Sequence, residues 1–280
     1  MTALRPASAV VRPLVRADLP ALRALVDADP YANAVLAARL NAVDAPGRDL
    51  LAVGEPDALT AACYAGGTLL PVGGDPAAWT ALADYLGEHP RPCSSIVGPA
   101  ETVEALWPRL SPAWGPARAL RARQLLLVLD RPASVAPDPR VRLARPDELA
   151  RYLPAAAAMF GEELGIAPLR GPKAYAYRSR IADLIASRRA LVRTDRRGHV
   201  VFKAEIAAVS RHTAQVQGVW VRPDKRGRGI ATAAMAAVVD YALRLAPTVS
   251  LYVNDFNAPA RRVYDRLGMQ PAGILSTVLF

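Results

Sequence analysis

The fold is decided by Gln215-Val216-Gln217-Gly218-Val219-Trp220-Val221-Arg222-Pro223-Asp224-Lys225-Arg226-Gly227-Arg228-Gly229-Ile230-Ala231. An apolar segment that stops at a proline predicts a strand, and a basic turn with two glycines leads directly into an Ala-rich helical pattern. The glycines let successive backbone amides point one way, at the positive end of the helix. Arg226 and Arg228 add charged hydrogen-bond donors. The stretch therefore predicts a strand–turn–helix unit that binds a pyrophosphate.

The same turn admits a simpler interpretation, in which glycine only closes an ordinary connection between a strand and a helix. It has neither the Gly-x-Gly-x-x-Gly of dinucleotide-binding folds nor the Gly-Lys-Ser/Thr of Walker loops. A second motif downstream favours the phosphate site: Asn257-Ala258-Pro259-Ala260-Arg261-Arg262-Val263-Tyr264-Asp265-Arg266-Leu267-Gly268-Met269.

Taken together, Val-x-Val-x-Pro, then Arg-x-x-Gly-x-Ala, then Asn-x-x-Ala-x-x-x-Tyr-x-x-x-Gly-Met resemble the motifs of the GNAT acetyltransferases over residues 141–280. The resemblance implies acetyl-CoA as cosubstrate, no metal, and a primary amine of a small molecule, peptide or protein as acceptor. It implies that the pantetheine arm lies at a splay between two strands and the pyrophosphate on the turn. The residues implied to bind acetyl-CoA are Val219, Trp220, Val221, Arg226, Gly227, Arg228, Gly229, Ile230, Ala231, Asn257 and Ala260.

Transfer of an acetyl group to an amine needs an acid for the departing thiolate and a route for the proton of the amine. Tyr264 is the candidate acid, although a core tyrosine beside Leu267 would fit the spacing equally. No carboxylate occurs in the strand before the Asn motif. The base is therefore left open between Glu205 on a neighbouring strand, the terminal carboxylate of Phe280, and a relaying water. Glu205 is alternatively a surface strand residue paired with Lys203 or an arginine.

Two other pairs of residues have open roles. Glu162 and Glu163 follow the first helix of the second half, in a region that often faces the acceptor in GNAT folds, but capping or surface charge explains them as well. Tyr175 and Tyr177 on the next helix either line an acceptor pocket or pack.

Two segments begin in the same way: Val11-Arg12-Pro13-Leu14-Val15-Arg16-Ala17-Asp18-Leu19 and Val141-Arg142-Leu143-Ala144-Arg145-Pro146-Asp147-Glu148-Leu149. Each predicts a short strand, a capping acid and a helix, and their spacing indicates a tandem duplication. A proline-rich linker at 130–139 separates the halves. We therefore predict an α/β (α+β) chain of two tandem GNAT-like domains, 1–134 and 135–280, each with a mixed, mostly antiparallel sheet flanked by helices.

The second half predicts strands at 141–144, 190–195, 199–209, 214–222, 248–253 and 273–280, with helices at 147–160, 173–187, 229–245 and 258–267. The first half predicts strands at 50–53, 59–64, 68–72, 94–97 and 124–129, with helices at 76–87 and 100–110. At the position of the phosphate turn it has Gly73-Gly74-Asp75-Pro76, in which Asp75 would repel a pyrophosphate and cap the next helix. The first domain is thus predicted to be degenerate, with a role in shaping the acceptor pocket or a homodimer surface.

The composition limits the remaining functions. A net charge of +10 suits a polyanionic partner or a solvated basic surface, but the arginines are scattered and do not favour nucleic acid. Cys63 and Cys93 are expected to be reduced and buried. No signal peptide or long apolar run is apparent, which predicts a cytoplasmic enzyme without a membrane partner.

Two alternative functions stay open. The missing base favours a non-catalytic module that binds acyl-CoA for regulation. The tandem layout is also similar to mycothiol synthase, which acetylates a cysteinyl amine.

Overall fold

The computed structural model describes residues 10–41, 47–55 and 59–280. Residues 1–9, in which no signal peptide was expected, lie outside the described residues. Backbone contacts divide the chain into two units. Unit 1 comprises the described residues of Met1–Leu126 together with Asn254–Phe256 and Ala272–Phe280, and unit 2 comprises Leu127–Val253 and Asn257–Pro271.

The first part of the chain contains strands and helices in the order β1 Val11–Pro13, α1 Leu19–Ala28, α2 Ala34–Leu40, β2 Leu50–Val53, β3 Ala61–Ala65, β4 Leu69–Gly73, α3 Pro76–Gly87, β5 Ser95–Pro99, α4 Ala100–Trp114 and β6 Ala119–Leu129. The second part contains β7 Arg142–Leu143, α5 Leu149–Leu164, α6 Ala174–Ala186, β8 Ala190–Thr194, β9 Val200–Val209, β10 Thr213–Val221, α7 Ile230–Ala242, β11 Thr248–Asn254, α8 Ala258–Leu267 and β12 Gln270–Leu279.

The sheet of unit 1 is mixed and is flanked by helices. Its antiparallel strands β1 to β4 follow one another, β4 pairs parallel with β5, and β12 pairs antiparallel with β5. One apolar cluster joins the sheet to α3 and α4 and includes Cys63 and Cys93, which are free thiols. A second joins it to α1 and α2. The last strand of the chain, Leu275–Leu279 against Ser95–Pro99, thus contributes to the first unit rather than to residues 135–271.

The sheet of unit 2 is also mixed, which confirms the predicted α/β class. Strands β7, β8, β9 and β10 are antiparallel neighbours, and β11 pairs parallel with β10. Because parallel neighbours need a crossover, α7 connects them. A cluster of buried apolar residues packs α5 and α6 on β8, β9 and β10.

Two predicted helix ends are wrong by four residues. The helix expected to stop at 160 continues as α5 to Leu164, so Glu162 and Glu163 lie inside this helix rather than after it. The helix expected to stop at 110 continues as α4 to Trp114, with Pro108 and Pro112 inside it. Each proline removes a backbone donor, but continuation buries Leu110 and Trp114, and the Trp114 indole donates to the carbonyl of Leu86 at 3.2 Å. Burial therefore outweighs the local proline penalty.

The two similar segments of the sequence form the same ion pair in both units. Arg12 donates to both carboxylate oxygens of Asp18, each at 2.7 Å, and the Val15 amide donates to Asp18 at 2.8 Å. In unit 2 Arg142 donates to both oxygens of Glu148, each at 2.7 Å. The structure thus repeats one fork-shaped arginine–carboxylate pair before the first helix of each unit, as a tandem duplication predicts.

This pair makes the stability of unit 2 depend on pH. Hydrogen bonds from Arg142 lower the pKa of Glu148 from 4.5 to about 2. Because the pKa of Glu148 is lower in the folded protein than in the unfolded chain, this carboxylate stabilises the fold fully above about pH 4.5. The stabilisation is lost as the pH falls through about 2. We expect Glu148→Gln to lower the free energy of unfolding by about 1–2 kcal/mol at neutral pH, a value that allows for the partly exposed arginine. The difference in free energy between the variant and the parent should become smaller in acid. Urea unfolding across this range measures it. Exposed Asp147→Asn is the control, and an equal loss there would contradict the prediction.

Candidate active site

Strands β10 and β11 part in the middle of unit 2. Their parallel pairing covers only Thr213 to Gln215 against Thr248 to Ser250, although both strands continue. The buried Thr213 hydroxyl donates to that of Ser250 at 2.9 Å and ties the strands where they still pair. Beyond this tie, no backbone pairing between β10 and β11 is found among the described residues. The two strands therefore part, as the resemblance implies, and the binding of a pantetheine arm between them stays a prediction.

On its other edge β10 is irregular at the same level. Its register with β9 shifts between Gln217 and Trp220, and Gly218 within the shift has φ +60°. Gly218 and Val219 thus lie outside the regular ladder with β9, whereas Trp220 pairs with Lys203 and Val221 with Phe202. A bulge of this kind leaves backbone groups without ladder partners. Val219 is also one of the residues that the resemblance implies for the pantetheine arm, and this role stays a prediction.

The turn after β10 is open above its glycines. Gly227 and Gly229 both have φ +72°, and a Cβ at either would meet no atom of the described structure within 4 Å. Gly229 is the N-cap of α7, and no side chain caps the helix there. The amides of the first turn of α7 are therefore available to an anionic ligand.

The corresponding turn of unit 1 is closed. Asp75 caps α3 by accepting from the Ala78 amide at 2.8 Å. A Cβ at Gly74 would lie 2.4 Å from the Trp79 ring, so the indole covers the glycine turn. In unit 1, side chains of the protein therefore occupy both the start of the helix and the space above the glycine turn. This supports the proposal that unit 1 does not bind a pyrophosphate.

The two arginines of the open turn differ. Arg226 pairs with Glu162 at 2.6 Å and donates to the Val221 carbonyl at 2.9 Å. The other oxygen of Glu162 accepts from the Trp220 indole at 3.0 Å. Arg228 is exposed, and its side chain makes no hydrogen bond or ion pair with the described residues. The Arg228 side chain can therefore bind a phosphate directly. Arg226 would first have to break its ion pair with Glu162, or donate to Glu162 and to the phosphate together.

The second motif forms α8. Asn257 caps this helix by accepting from the Ala260 amide at 3.2 Å, which leaves its side-chain NH₂ as a donor for a ligand. Tyr264 is buried, with 6% of its surface exposed. Burial raises the pKa of the Tyr264 phenol, and the negative charge of Glu163 raises it further. The phenol therefore stays protonated, as a proton donor must.

Glu205 lies in a buried charged cluster. It is 1% exposed, so its interpretation as a surface residue is wrong, but its pairing with Lys203 and an arginine is correct. One oxygen accepts from Lys203 at 2.5 Å, and the other accepts from Gln217 at 3.1 Å and lies 3.6 Å from Arg180. A Cβ at Gly218 would lie 2.9 Å from the Lys203 nitrogen and 3.3 Å from Glu205. Only glycine lets the pair approach the bulge this closely.

Burial and pairing act in opposite directions on Lys203. Desolvation lowers the pKa of its ammonium group, and the Glu205 carboxylate partly restores it. Tyr152 lies beneath the pair, with its ring centroid 5.7 Å from the Lys203 nitrogen. The pair is therefore shielded from water on the side of α5.

Phe280 packs in the core of unit 1. Its ring contacts Trp107 and Trp114 edge-on, at centroid distances of 5.5 and 6.0 Å, and Arg91 lies 4.1 Å above it. The Phe280 carbonyl accepts from Arg118 at 3.5 Å. These contacts explain the position of Phe280 by packing, and its proposed role as a base gains no support from them.

Part of the site is formed by residues that the sequence did not predict. Gln217, Arg180 and the Glu162–Trp220 hydrogen bond were not predicted as site features, because each joins residues far apart in the chain. One local indication was present in the sequence. Lys203 and Glu205 are charged residues at alternate positions of an apolar strand, and this spacing places both on the same face of the sheet, which helices cover.

The described residues were searched for a metal site and for a membrane-spanning helix. Among the described residues no group of three or more His, Cys, Asp or Glu side chains could hold a metal ion. Within the same ranges, every helix is too short or too polar to cross a bilayer.

Comparison with known proteins identifies two domains. Residues 174–269 match the acetyltransferase (GNAT) family, and residues 49–152 match a domain of unknown function, DUF4081. No curated protein sequence matches the chain.

Solved structures of similar fold span the whole chain. A GNAT-family acetyltransferase from Colwellia psychrerythraea is 14% identical with a TM-score of 0.61, over 97% of this chain and 99% of its own. A GCN5-related N-acetyltransferase from Sphaerobacter thermophilus is 18% identical with a TM-score of 0.62, over 99% and 97%. A tandem GNAT protein from the clavulanic acid biosynthesis pathway is 13% identical with a TM-score of 0.50, over 96% and 98%. At these identities the likeness concerns the fold. Since the family match covers α6 to the end of the second motif, the chain contains a domain of the acetyltransferase (GNAT) family at residues 174–269.

Proposed function

We propose that unit 2 transfers the acetyl group of acetyl-CoA to a primary amine. The observation that carries this proposal is the parting of β10 and β11 directly before an uncapped helix with an open glycine turn. The pantetheine arm of acetyl-CoA is extended and carries its own amide groups, so it fits between two strands that no longer pair with each other. The pyrophosphate fits the start of the helix. When bound, acetyl-CoA supplies an acyl group activated as a thioester.

The residues of the site account for the bonds and protons of the transfer. The amine nitrogen bonds to the acetyl carbon as the carbon–sulfur bond breaks. Backbone amides at the bulge of Gly218 and Val219 stabilise the negative charge that develops on the carbonyl oxygen. Tyr264 gives its phenolic proton to the departing sulfur. Glu205 receives the proton of the amine through a water, because it is the carboxylate beside the bulge.

A second candidate function is regulatory binding of acyl-CoA without turnover. It is favoured by one observation, the pairing of Glu205 with Lys203 at 2.5 Å, because the carboxylate oxygen held by the ammonium group is not free to accept a proton from an amine. Measured turnover on a panel of amines would reject this candidate.

Titration calorimetry with acetyl-CoA tests the cofactor site. We expect one binding event per chain, because only the turn in unit 2 is open. Arg228→Ala is expected to weaken binding by about 10- to 100-fold, the size of a lost charge-assisted hydrogen bond. Arg226→Ala should weaken it less, because the same change frees the turn from Glu162.

The matched control is Arg196→Ala, an exposed arginine in the turn between β8 and β9. It removes the same charge without touching the site, so its effect measures the general electrostatic contribution. Undetectable binding to the parent protein would refute the proposed function, and equal weakening by Arg196→Ala would refute the role of Arg228.

A further inference from the structure

The helix α6 carries two side chains with unused hydrogen-bonding capacity beside the charged cluster. The Tyr177 hydroxyl is the one buried side-chain nitrogen or oxygen, within the ranges that the structure describes, that has no hydrogen-bond partner. Tyr177 is 8% exposed, and burial raises the pKa of its phenol to about 12, so it remains a donor. An unsatisfied buried hydroxyl is rare in folded proteins and indicates a missing ligand or water.

Arg180 follows Tyr177 by one helical turn and lies over it. Its guanidinium carbon is 5.2 Å from the centroid of the Tyr177 ring. Its nearest carboxylate oxygen, on Glu205, is 3.6 Å away, too far for a good hydrogen bond, and its side chain is 42% exposed. The donors of this guanidinium are therefore available, on the side of the cluster that opens to solvent.

These donors face a cluster that does not need another cation. Lys203 already neutralises one oxygen of Glu205, and the amide of Gln217 satisfies the other. Arg180 adds a second positive charge close to the same carboxylate. A ligand carboxylate would accept from the guanidinium fork and from the Tyr177 hydroxyl together, and it would balance this charge. A purely cationic ligand such as a polyamine would be repelled.

The position of the donors relative to the bulge limits the ligand further. Glu205, which Arg180 faces, is the direct partner of Gln217 on β10, next to Gly218. A molecule held by Arg180 and Tyr177 therefore reaches the bulge with an atom only a few bonds from its carboxylate.

Resting on the function proposed above, we propose that Arg180 and Tyr177 form a carboxylate subsite and that the acceptor is an amine bearing a carboxylate, of the amino-acid class. The pair determines specificity and takes no part in the bond changes. Arg180 supplies the charge, and Tyr177 supplies a buried, neutral donor that fixes orientation.

The test compares L-amino acids with their decarboxylated amines, lysine with cadaverine and phenylalanine with phenethylamine, as acceptors for the full chain. We expect turnover of at least one carboxylated member and a preference over its partner of about 10- to 100-fold in kcat/KM. Arg180→Gln should raise KM for the carboxylated acceptor by a similar factor, with the affinity for acetyl-CoA retained. Tyr177→Phe should raise it by a smaller factor of about 5–20.

The outcomes separate the two proposals. Acetyl-CoA binding with turnover of decarboxylated amines alone would overturn the carboxylate subsite and leave acetyl transfer intact. Absence of acetyl-CoA binding would overturn the proposed function. Titration calorimetry of the same amino acids with the CoA complex measures their binding to the subsite without turnover. If the amino acids neither bind nor are acetylated, the proposal of a carboxylate subsite is also overturned. Arg178→Gln, an exposed neighbour on α6, controls for surface charge.

Discussion

Replacing Glu205 by glutamine is expected to destabilise unit 2 by about 3–5 kcal/mol, because the buried Lys203 would lose its only carboxylate within hydrogen-bond distance among the described residues. Turnover is expected to disappear in the same variant. Because the chain has two units and need not unfold in one step, hydrogen exchange of the β9 and β10 amides is the appropriate measurement for this unit.

A double variant separates the structural role of Glu205 from its chemical one. Lys203→Met with Glu205→Gln removes both charges and should recover most of the stability, since a buried pair replaced by neutral groups is often tolerated. It should not recover turnover if Glu205 receives the proton. Lys203→Met alone keeps the carboxylate and frees it from its ammonium partner. A stable double variant with parental activity would exclude Glu205 as the base.

Replacing Tyr264 by phenylalanine should lower kcat by about 10²- to 10⁴-fold, the usual contribution of a general acid. The affinity for acetyl-CoA should hardly change, because the ring stays in place and only the hydroxyl is lost. Since burial and Glu163 raise the pKa of Tyr264, the phenol stays protonated as the pH rises. Its titration should therefore not limit kcat of the parent below about pH 10.

Tyr241→Phe is the matched control for this change. Tyr241 lies on α7, and its hydroxyl donates to the Arg188 carbonyl at 2.6 Å. Steady-state kinetics of both variants with a reactive amine provide the comparison. An unchanged kcat in Tyr264→Phe would show that another donor protonates the thiolate.

Local features of the chain were predictable from sequence. The strand, glycine turn and helix at 215–242 follow from adjacent residues, because alternation, φ-permissive glycines and an alanine-rich pattern all act within one turn of the chain. The capping role of Asp75 follows from the same kind of local rule, and the structure confirms it.

Long-range features were not predictable in the same way. The partner of a strand is chosen by the whole sheet, so the pattern at 273–280 predicted a strand but not its pairing with β5. The unpartnered Tyr177 hydroxyl and the contact of Arg180 with Glu205 depend on how α6 packs over β9, which no spacing in the sequence encodes. The extension of α4 from the predicted end at 110 to Trp114 has the same cause, since burial of Trp114 outweighs the local cost of Pro112.

The pairing of β12 with β5 constrains the order in which the protein can mature on the ribosome. Domains usually fold as units as they emerge, the N-terminal one first. Here the sheet of unit 1 remains incomplete until residues 272–280 have been synthesised, after nearly all of unit 2. Until then the backbone of β5 is an unprotected edge, the kind of surface that recruits other chains. Nascent unit 1 therefore depends on residues made after nearly all of unit 2, and chains that stop before residue 272 are expected to be insoluble rather than to contain a folded first unit.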